Sequence, residues 1–154
     1  TTYSSHYNDF IFFRYAEVLL NFAEAQNEYS GPDPDVYAAV EAVRQRAGLV
    51  PYQLDSMGVV INQESLRDII RKERRKEMAF EEQRYWDIRR WKIADTIYNK
   101  PLHGMNIFRS PSGNLTYVVV PVLNTVFDKN KMYFYPIPYN EIVSNKNMVQ
   151  NPGW

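Results

Sequence analysis

The chain has 154 residues, and its 18 Lys and Arg balance its 18 Asp and Glu, so its formal net charge is zero. This balance excludes the excess of positive charge that nucleic-acid-binding proteins carry. A composition of 45% hydrophobic and 15% aromatic residues is too apolar for a disordered segment and predicts one domain over residues 1–154. No cysteine is present, which excludes disulfides and thiol chemistry, and no apolar run approaches the roughly 20 residues of a membrane span.

The first half of the chain carries the apolar spacing of two helices with a strong stop between them. Over residues 10–29 the polar side chains fall in one narrow strip, which predicts a helix enclosed between other helices. Gly31 ends that helix, and Asp33 followed by Pro34 fits the N-cap and first turn of a second helix over residues 34–47. So short a turn predicts an antiparallel hairpin.

A third helix, over residues 62–80 with Asn62 as its cap, has carboxylates inside its apolar stripe. On a helical wheel Glu73 and Glu77 lie with the apolar residues Leu66, Ile69, Ile70 and Phe80. A buried carboxylate has to be paired, and the planar fork of arginine suits that pairing. We therefore predict an internal lattice that joins this helix to its neighbours and places at least one carboxylate within about 3.2 Å of an arginine. The lattice residues are Glu73, Glu77, Arg74, Arg75 and Arg84.

Two other interpretations of this helix are weaker. A pair of glutamates four residues apart could form half of a carboxylate metal site, but such sites need a Glu-x-x-His partner. The two histidines, His6 and His103, do not have that spacing, so we expect no metal and no cofactor. The Arg/Lys-rich run could bind nucleic acid, but acidic residues interrupt it throughout.

The second half begins with a helix and ends in an irregular tail. A break near residues 81–83 separates the third helix from a fourth over residues 84–98, which predicts a second helix pair and a helical array over residues 9–98. Residues 99–154 are predicted to be loop, β-hairpin and tail. Their predicted elements are a strand at 116–120, a hairpin of 126–127 with 132–135 around a turn at 128–131, and a helical turn at 139–144.

No catalytic motif stands out, so we expect a protein that is not an enzyme. The chain lacks a Gly-rich phosphate loop and a Gly-x-Ser-x-Gly setting, and no two carboxylates are marked as an acid/base pair. Trp86 and Trp91 lie in a densely charged helix and are assigned to packing. The candidate carbohydrate-stacking residues are Tyr3, His6 and Tyr7, which precede the first helix in a polar segment that an ordinary linker would also explain.

Several motifs, in one order along the chain, resemble the SusD/RagB family. They are R-Y-A-E-V-L-L at 14–20, V-R-Q-R-A-G-L at 43–49, E-R-R-K-E at 73–77, R-Y-W-D-I-R-R-W at 84–91, Y-P-I-P at 135–138 and Q-N-P-G-W at 150–154. Glu82 departs from the pattern, because the family has glycine there. The likeness implies a mainly α fold of stacked, tetratricopeptide-like antiparallel hairpins with a small C-terminal β-hairpin and an irregular tail.

The resemblance also implies a function. Members of this family are lipoproteins on the outer face of the outer membrane that bind oligosaccharides without cleaving them and cover a TonB-dependent transporter. Thr1 is not an initiator methionine, and the likeness is to the C-terminal portion of the family, so we expect the lipid anchor and most glycan contacts upstream. This chain alone should then bind polysaccharide weakly or not at all. The alternative is a helical scaffold for protein contacts without glycan contact.

Overall fold

The computed structural model describes residues 11–49 and 62–154, which divide into two compact units. We call Thr1–Arg84 the helical unit and Tyr85–Trp154 the tail unit. The elements are α1 (Tyr15–Ser30), α2 (Pro34–Arg46), α3 (Gln63–Glu77), α4 (Gln83–Arg90), α5 (Ala94–Tyr98), β1 (Leu102–Arg109), β2 (Leu115–Leu123) and α6 (Tyr139–Ser144). The mainly α class with a small antiparallel hairpin is confirmed, whereas a single domain and a second helix pair stay predictions.

The first two helices form the predicted hairpin, and local side chains explain its turn. Gly31 takes a φ of 83°, which favours glycine, and ends α1. Asp33 Oδ1 then accepts the Val36 backbone N–H at 2.9 Å and caps α2, whose first residue is Pro34. The apolar faces of the two helices meet α3 in one core, made of Ala23, Val36, Ala39, Val40, Leu66 and Ile70.

Helix α3 begins at the cap that the sequence predicts and runs antiparallel to α1. Asn62 and Ser65 exchange side-chain-to-backbone hydrogen bonds of 2.8 and 3.0 Å, which is a capping box. Asn27, near the end of α1, donates to the backbone oxygen of Gln63 at 3.0 Å. Arg14, at the start of α1, bonds Glu77 at the end of α3. These contacts at opposite ends fix the direction of α3.

The predicted third helix is too long, and Phe80 does not belong to its stripe. Helix α3 ends at Glu77, and the buried Met78 is its C-cap. Phe80 takes a φ of 64° and is fully exposed, because the chain has already left the helix. Glu82 takes a φ of 60°. The break is therefore sharp, and Glu82 adopts the left-handed conformation that glycine would adopt at lower cost.

The predicted enclosure of α1 is wrong in the described part of the chain. One face of α1 is buried against α2 and α3, but a second apolar stripe is exposed. That stripe consists of Tyr15, Val18, Phe22 and Tyr29. The wide apolar surface of α1 predicts neighbouring helices on several sides. In the described part of the chain, only α2 and α3 pack against it.

The tail unit differs from the prediction in two places. The single helix expected over residues 84–98 is divided into α4 and α5, and Lys92 between them has a φ of 55°. The hairpin is formed by β1 and β2 and not by residues 126–135, because Phe127 packs with Ile88 and Ala94 in a small core instead of pairing in a strand. The predicted helical turn is confirmed as α6.

The β-hairpin is apolar on its surfaces and pairs in a defined register. Met105 lies opposite Val119 and Ile107 lies opposite Tyr117, and all four side chains are exposed. Such cross-strand pairs are what stabilises a two-stranded ribbon. Within the described ranges no helix combines the length and the apolarity needed to cross a membrane.

Candidate functional site

The two carboxylates of the α3 stripe meet arginines from outside α3. Glu73 Oε2 lies 3.0 Å from Arg44 Nη1, and these side chains are only 4% and 10% exposed. Glu77 Oε1 bonds both Arg14 and, at 2.7 Å, Arg46 Nη2. The ion pairs therefore join α3 to α2 and to the residue that precedes α1. This lattice stabilises the helical unit, because its charged groups pair with one another between helices.

Of the arginines that the sequence analysis places in the lattice, Arg74 joins α3 to α1, and the part of Arg75 and Arg84 in the lattice stays a prediction. Arg74 Nη1 donates to Asn21 Oδ1 at 2.6 Å, and its Nη2 lies 4.0 Å from Glu17 Oε1. Arg75 is exposed and Arg84 is half-buried. Sequence reasoning missed Arg14, Arg44 and Arg46. A helical wheel of α2 would have placed Arg44 in the apolar stripe, because Arg44 follows Val36 and Val40 at intervals of four residues.

The three candidate stacking residues, Tyr3, His6 and Tyr7, lie outside the described residues and stay predictions. His103 is exposed on β1. Across residues 11–49 and 62–154 no group of three metal-ligating side chains could hold a metal ion.

A cleft of about 470 Å³ in the helical unit is lined by the carboxylates of Glu17, Glu81 and Glu82. Glu81 in its wall accepts hydrogen bonds of 2.9 and 2.6 Å from Arg14. These bonds hold the pKa of the Glu81 carboxyl below its usual range. Glu81 is therefore ionised at neutral pH and already bonded to a cation.

A second cleft, of about 520 Å³, lies in the tail unit and gathers aromatic rings and cations. One wall comes from α4 and Lys92, two residues after the end of α4, and the other from the segment that follows the turn at 128–131. We call this surface the aromatic cleft. Its lining residues are Trp86, Arg89, Arg90, Lys92, Tyr133, Phe134 and Tyr135.

Arg89 holds the two walls of the aromatic cleft together. Its guanidinium carbon lies 4.5 Å from the ring centre of Tyr85 and 5.2 Å from that of Tyr135, and it donates to the backbone oxygen of Met132. The hydroxyls of Tyr85 and Tyr135 hydrogen-bond each other. Burial raises the pKa of Tyr85, so its hydroxyl remains protonated at neutral pH. These contacts pre-organise the floor of the cleft.

The rim of the cleft is also fixed. The Tyr133 hydroxyl donates to Asp95 Oδ1 at 2.7 Å and accepts the Ala94 backbone N–H at 3.1 Å. Lys92 Nζ lies 4.3 Å from the ring centre of Tyr133 and 5.2 Å from that of Phe134. Within the described residues Lys92 makes no ion pair, so its charge faces rings.

Three rings of the aromatic cleft remain open to solvent. Trp86, Phe134 and Tyr135 are 58%, 53% and 56% exposed. The packing role that the sequence analysis assigns to Trp86 is therefore wrong, whereas Trp91 is half-buried beneath Arg90. Open ring faces beside hydrogen-bond donors suit a ligand with an apolar face and polar edges. No carboxylate of the described residues lines this cleft.

Comparisons with known proteins agree with one another. The model of the SusD family matches residues 1–154. The chain is similar to SusD-like protein P2 of Formosa agariphila, with 35% identity over 149 residues, and to SusD-like protein P25 of the same organism, with 35% identity over 89 residues. Those alignments cover 95% and 58% of this chain but only 26% and 16% of the two relatives.

A solved structure shows the same relationship. BT4246 matches with a TM-score of 0.75 and 30% sequence identity, over 94% of this chain and 24% of that chain. The chain thus spans about a quarter of the length of SusD-like protein P2 and of the BT4246 chain.

Proposed function

Because this chain belongs to the SusD family, we propose that it takes part in capturing glycans for nutrient uptake at the cell outer membrane. In this proposal it acts with a TonB-dependent transporter, as a surface lipoprotein whose lipid anchor lies upstream of these residues, and it does not cleave the glycan. Family membership supports this role.

The aromatic cleft is the observation that supports a glycan contact in this chain. Trp86, Phe134 and Tyr135 present open ring faces, and sugar rings stack on such faces through their C–H groups. The indole N–H of Trp86 and the ammonium of Lys92 lie beside these rings as donors. Because Arg89 lies against the ring of Tyr135, this side chain should lose little conformational entropy when a sugar binds.

The contact should be weak in this chain alone. One open cleft with three stacking rings cannot bury a long oligosaccharide, so we expect a dissociation constant on the order of 1 mM or weaker. A longer family protein that adds further contacts on the same glycan would bind more tightly.

Affinity electrophoresis in polysaccharide-containing gels tests the proposal. We expect retardation of the wild-type chain that Trp86→Ala and Phe134→Ala each reduce. Tyr29→Ala is the matched control, because it removes an exposed aromatic side chain from α1. Far-UV circular dichroism of each variant checks the fold. Retardation that Trp86→Ala and Phe134→Ala both leave unchanged would remove the aromatic cleft as a glycan site.

A helical scaffold for protein contacts is the second candidate, and the exposed stripe of α1 favours it. Tyr15, Val18, Phe22 and Tyr29 lie on one face at helical spacing, as in a helix that packs against another polypeptide. A Val18→Glu/Phe22→Glu double variant tests this role. Loss of co-purification with a TonB-dependent transporter, with glycan retardation intact, would favour the scaffold function for this chain.

A further inference from the structure

We infer that the aromatic cleft prefers an acidic sugar, one that carries a carboxylate or a sulfate ester, over a neutral one. This inference rests on the proposed function, because it names the class of glycan that the same cleft takes. It comes from the charges and the hydrogen-bonding groups that line the cleft.

Among the described residues, every charged side chain in the lining is a cation. Arg89 and Arg90 are on α4 and Lys92 follows it, and the lining includes no described Asp or Glu. The nearest carboxylate on α4, Asp87, is buried and bonded to Arg90 Nε at 3.0 Å. An anion entering this cleft therefore meets positive charge and no exposed carboxylate of the lining.

The lining is rich in hydrogen-bond donors, and the side-chain acceptors among its described residues are two tyrosine hydroxyls. The indole of Trp86, the guanidinium groups and the ammonium of Lys92 only donate hydrogen bonds. The two tyrosine hydroxyls are already engaged, Tyr133 with Asp95 and Ala94 and Tyr135 with Tyr85. A neutral sugar hydroxyl both donates and accepts, whereas a carboxylate or a sulfate only accepts. The excess of donors over acceptors in the lining is therefore complementary to an anionic group.

Lys92 is the cation best placed to meet that group. Its ammonium lies over two rings and makes no ion pair in the described residues, so an incoming anion displaces no carboxylate partner. By contrast, Arg89 already donates a hydrogen bond to the backbone oxygen of Met132 and lies over aromatic rings. A carboxylate or sulfate on Lys92 would form charge-assisted hydrogen bonds while the sugar ring lies on Trp86 or Phe134.

The test compares polymers that differ only in charge. The wild-type chain is run in gels containing polygalacturonate or its fully methyl-esterified form, and in gels containing dextran sulfate or dextran. We expect stronger retardation by an acidic polymer than by its neutral counterpart, and a weaker difference as salt is raised. The polymer pair that shows the difference identifies the anion as carboxylate or sulfate.

Variants decide whether the cleft is responsible. Lys92→Gln should raise the dissociation constant for the acidic polymer at least about fivefold, while Lys146→Gln, which removes an exposed lysine elsewhere in the tail unit, should leave it unchanged. Equal losses in both variants would show nonspecific attraction and overturn the inference.

The remaining outcomes separate the inference from the function on which it rests. Equal retardation by acidic and neutral polymers, reduced by Trp86→Ala but not by Lys92→Gln, would overturn the acidic preference and keep the aromatic cleft as a glycan site. No retardation by any of the four polymers would overturn the acidic preference, while the wider role in glycan capture, which rests on family membership, would stand.

Discussion

The two units of this molecule use their cations in different ways. In the helical unit, Arg44 pairs with Glu73, and Arg14 and Arg46 pair with Glu77, so these guanidinium groups satisfy carboxylates between helices. In the tail unit, Arg89 and Lys92 lie over aromatic rings. Cation–ring contacts leave positive charge uncompensated, whereas ion pairs cancel it.

This difference indicates which arginines and lysines are structural and which are open to a ligand. A cation paired with a buried carboxylate cannot be removed without leaving a charge in the core. A cation at the mouth of the aromatic cleft can be removed with little effect on the fold. Stability and binding should therefore respond to substitutions in different units.

The largest expected effect is on the buried pair of the helical unit. Glu73→Leu leaves Arg44 buried without its carboxylate partner and should lower the free energy of unfolding by roughly 3 to 5 kcal/mol. Urea denaturation measures this change. The double variant Arg44→Met/Glu73→Leu removes both charges and should recover most of the loss. A single variant as stable as the wild type would contradict the structural role of the lattice.

The exposed pair formed by Glu28 and Arg67 is the matched control. Glu28→Gln should cost less than about 1 kcal/mol, because water screens exposed ion pairs. Equal costs at Glu73 and Glu28 would show that burial does not distinguish the two pairs.

A smaller effect, of opposite sign, is expected at the break after α3. Glu82 has a φ of 60°, so Glu82→Gly should raise the free energy of unfolding by roughly 0.5 to 1 kcal/mol through relief of the left-handed conformation. Thermal and urea unfolding measure it. Destabilisation by glycine would show that the Glu82 side chain contributes more than its backbone conformation costs.

The smallest expected effect is the pH dependence of the exposed pairs. Hydrogen bonds from Arg67 and Arg14 hold the pKa of the Glu28 and Glu81 carboxyls below the ordinary value of 4.5. A lowered folded-state pKa stabilises the fold above the ordinary value, and this stabilisation is lost as the pH falls through the lowered pKa. The free energy of unfolding should fall less steeply below pH 4.5 in Glu81→Gln, and an identical slope would contradict the contribution of Glu81.

Local signals in the sequence predicted the caps of the fold but not the choice between competing turns. Asp33 and Asn62 cap helices through bonds to residues three positions away, so short-range spacing was sufficient. Turn residues occur at both 110–114 and 128–131, and both suggest a hairpin. Only the pairing of β1 with β2 and the burial of Phe127 decide between them.

The candidate site was less predictable because its parts are distant in sequence. Tyr85 and Tyr135 are 50 residues apart, and Arg44 is 29 residues from Glu73. Helical spacing can show that a carboxylate is buried, but it cannot show which arginine reaches it. The charged residues around Trp86 in the sequence likewise did not show that its side chain is exposed.

An NMR titration of the chain with a trisaccharide of galacturonic acid tests the contrast between the two units most directly. We predict that amide shift changes are confined to residues 86–92 and 132–135, and that Lys92→Gln reduces them. The methyl-esterified trisaccharide should produce smaller changes at the same residues. Shift changes spread over residues 14–46 and 63–77, or changes that Lys92→Gln leaves intact, would contradict the account of the aromatic cleft as the ligand-facing cationic surface.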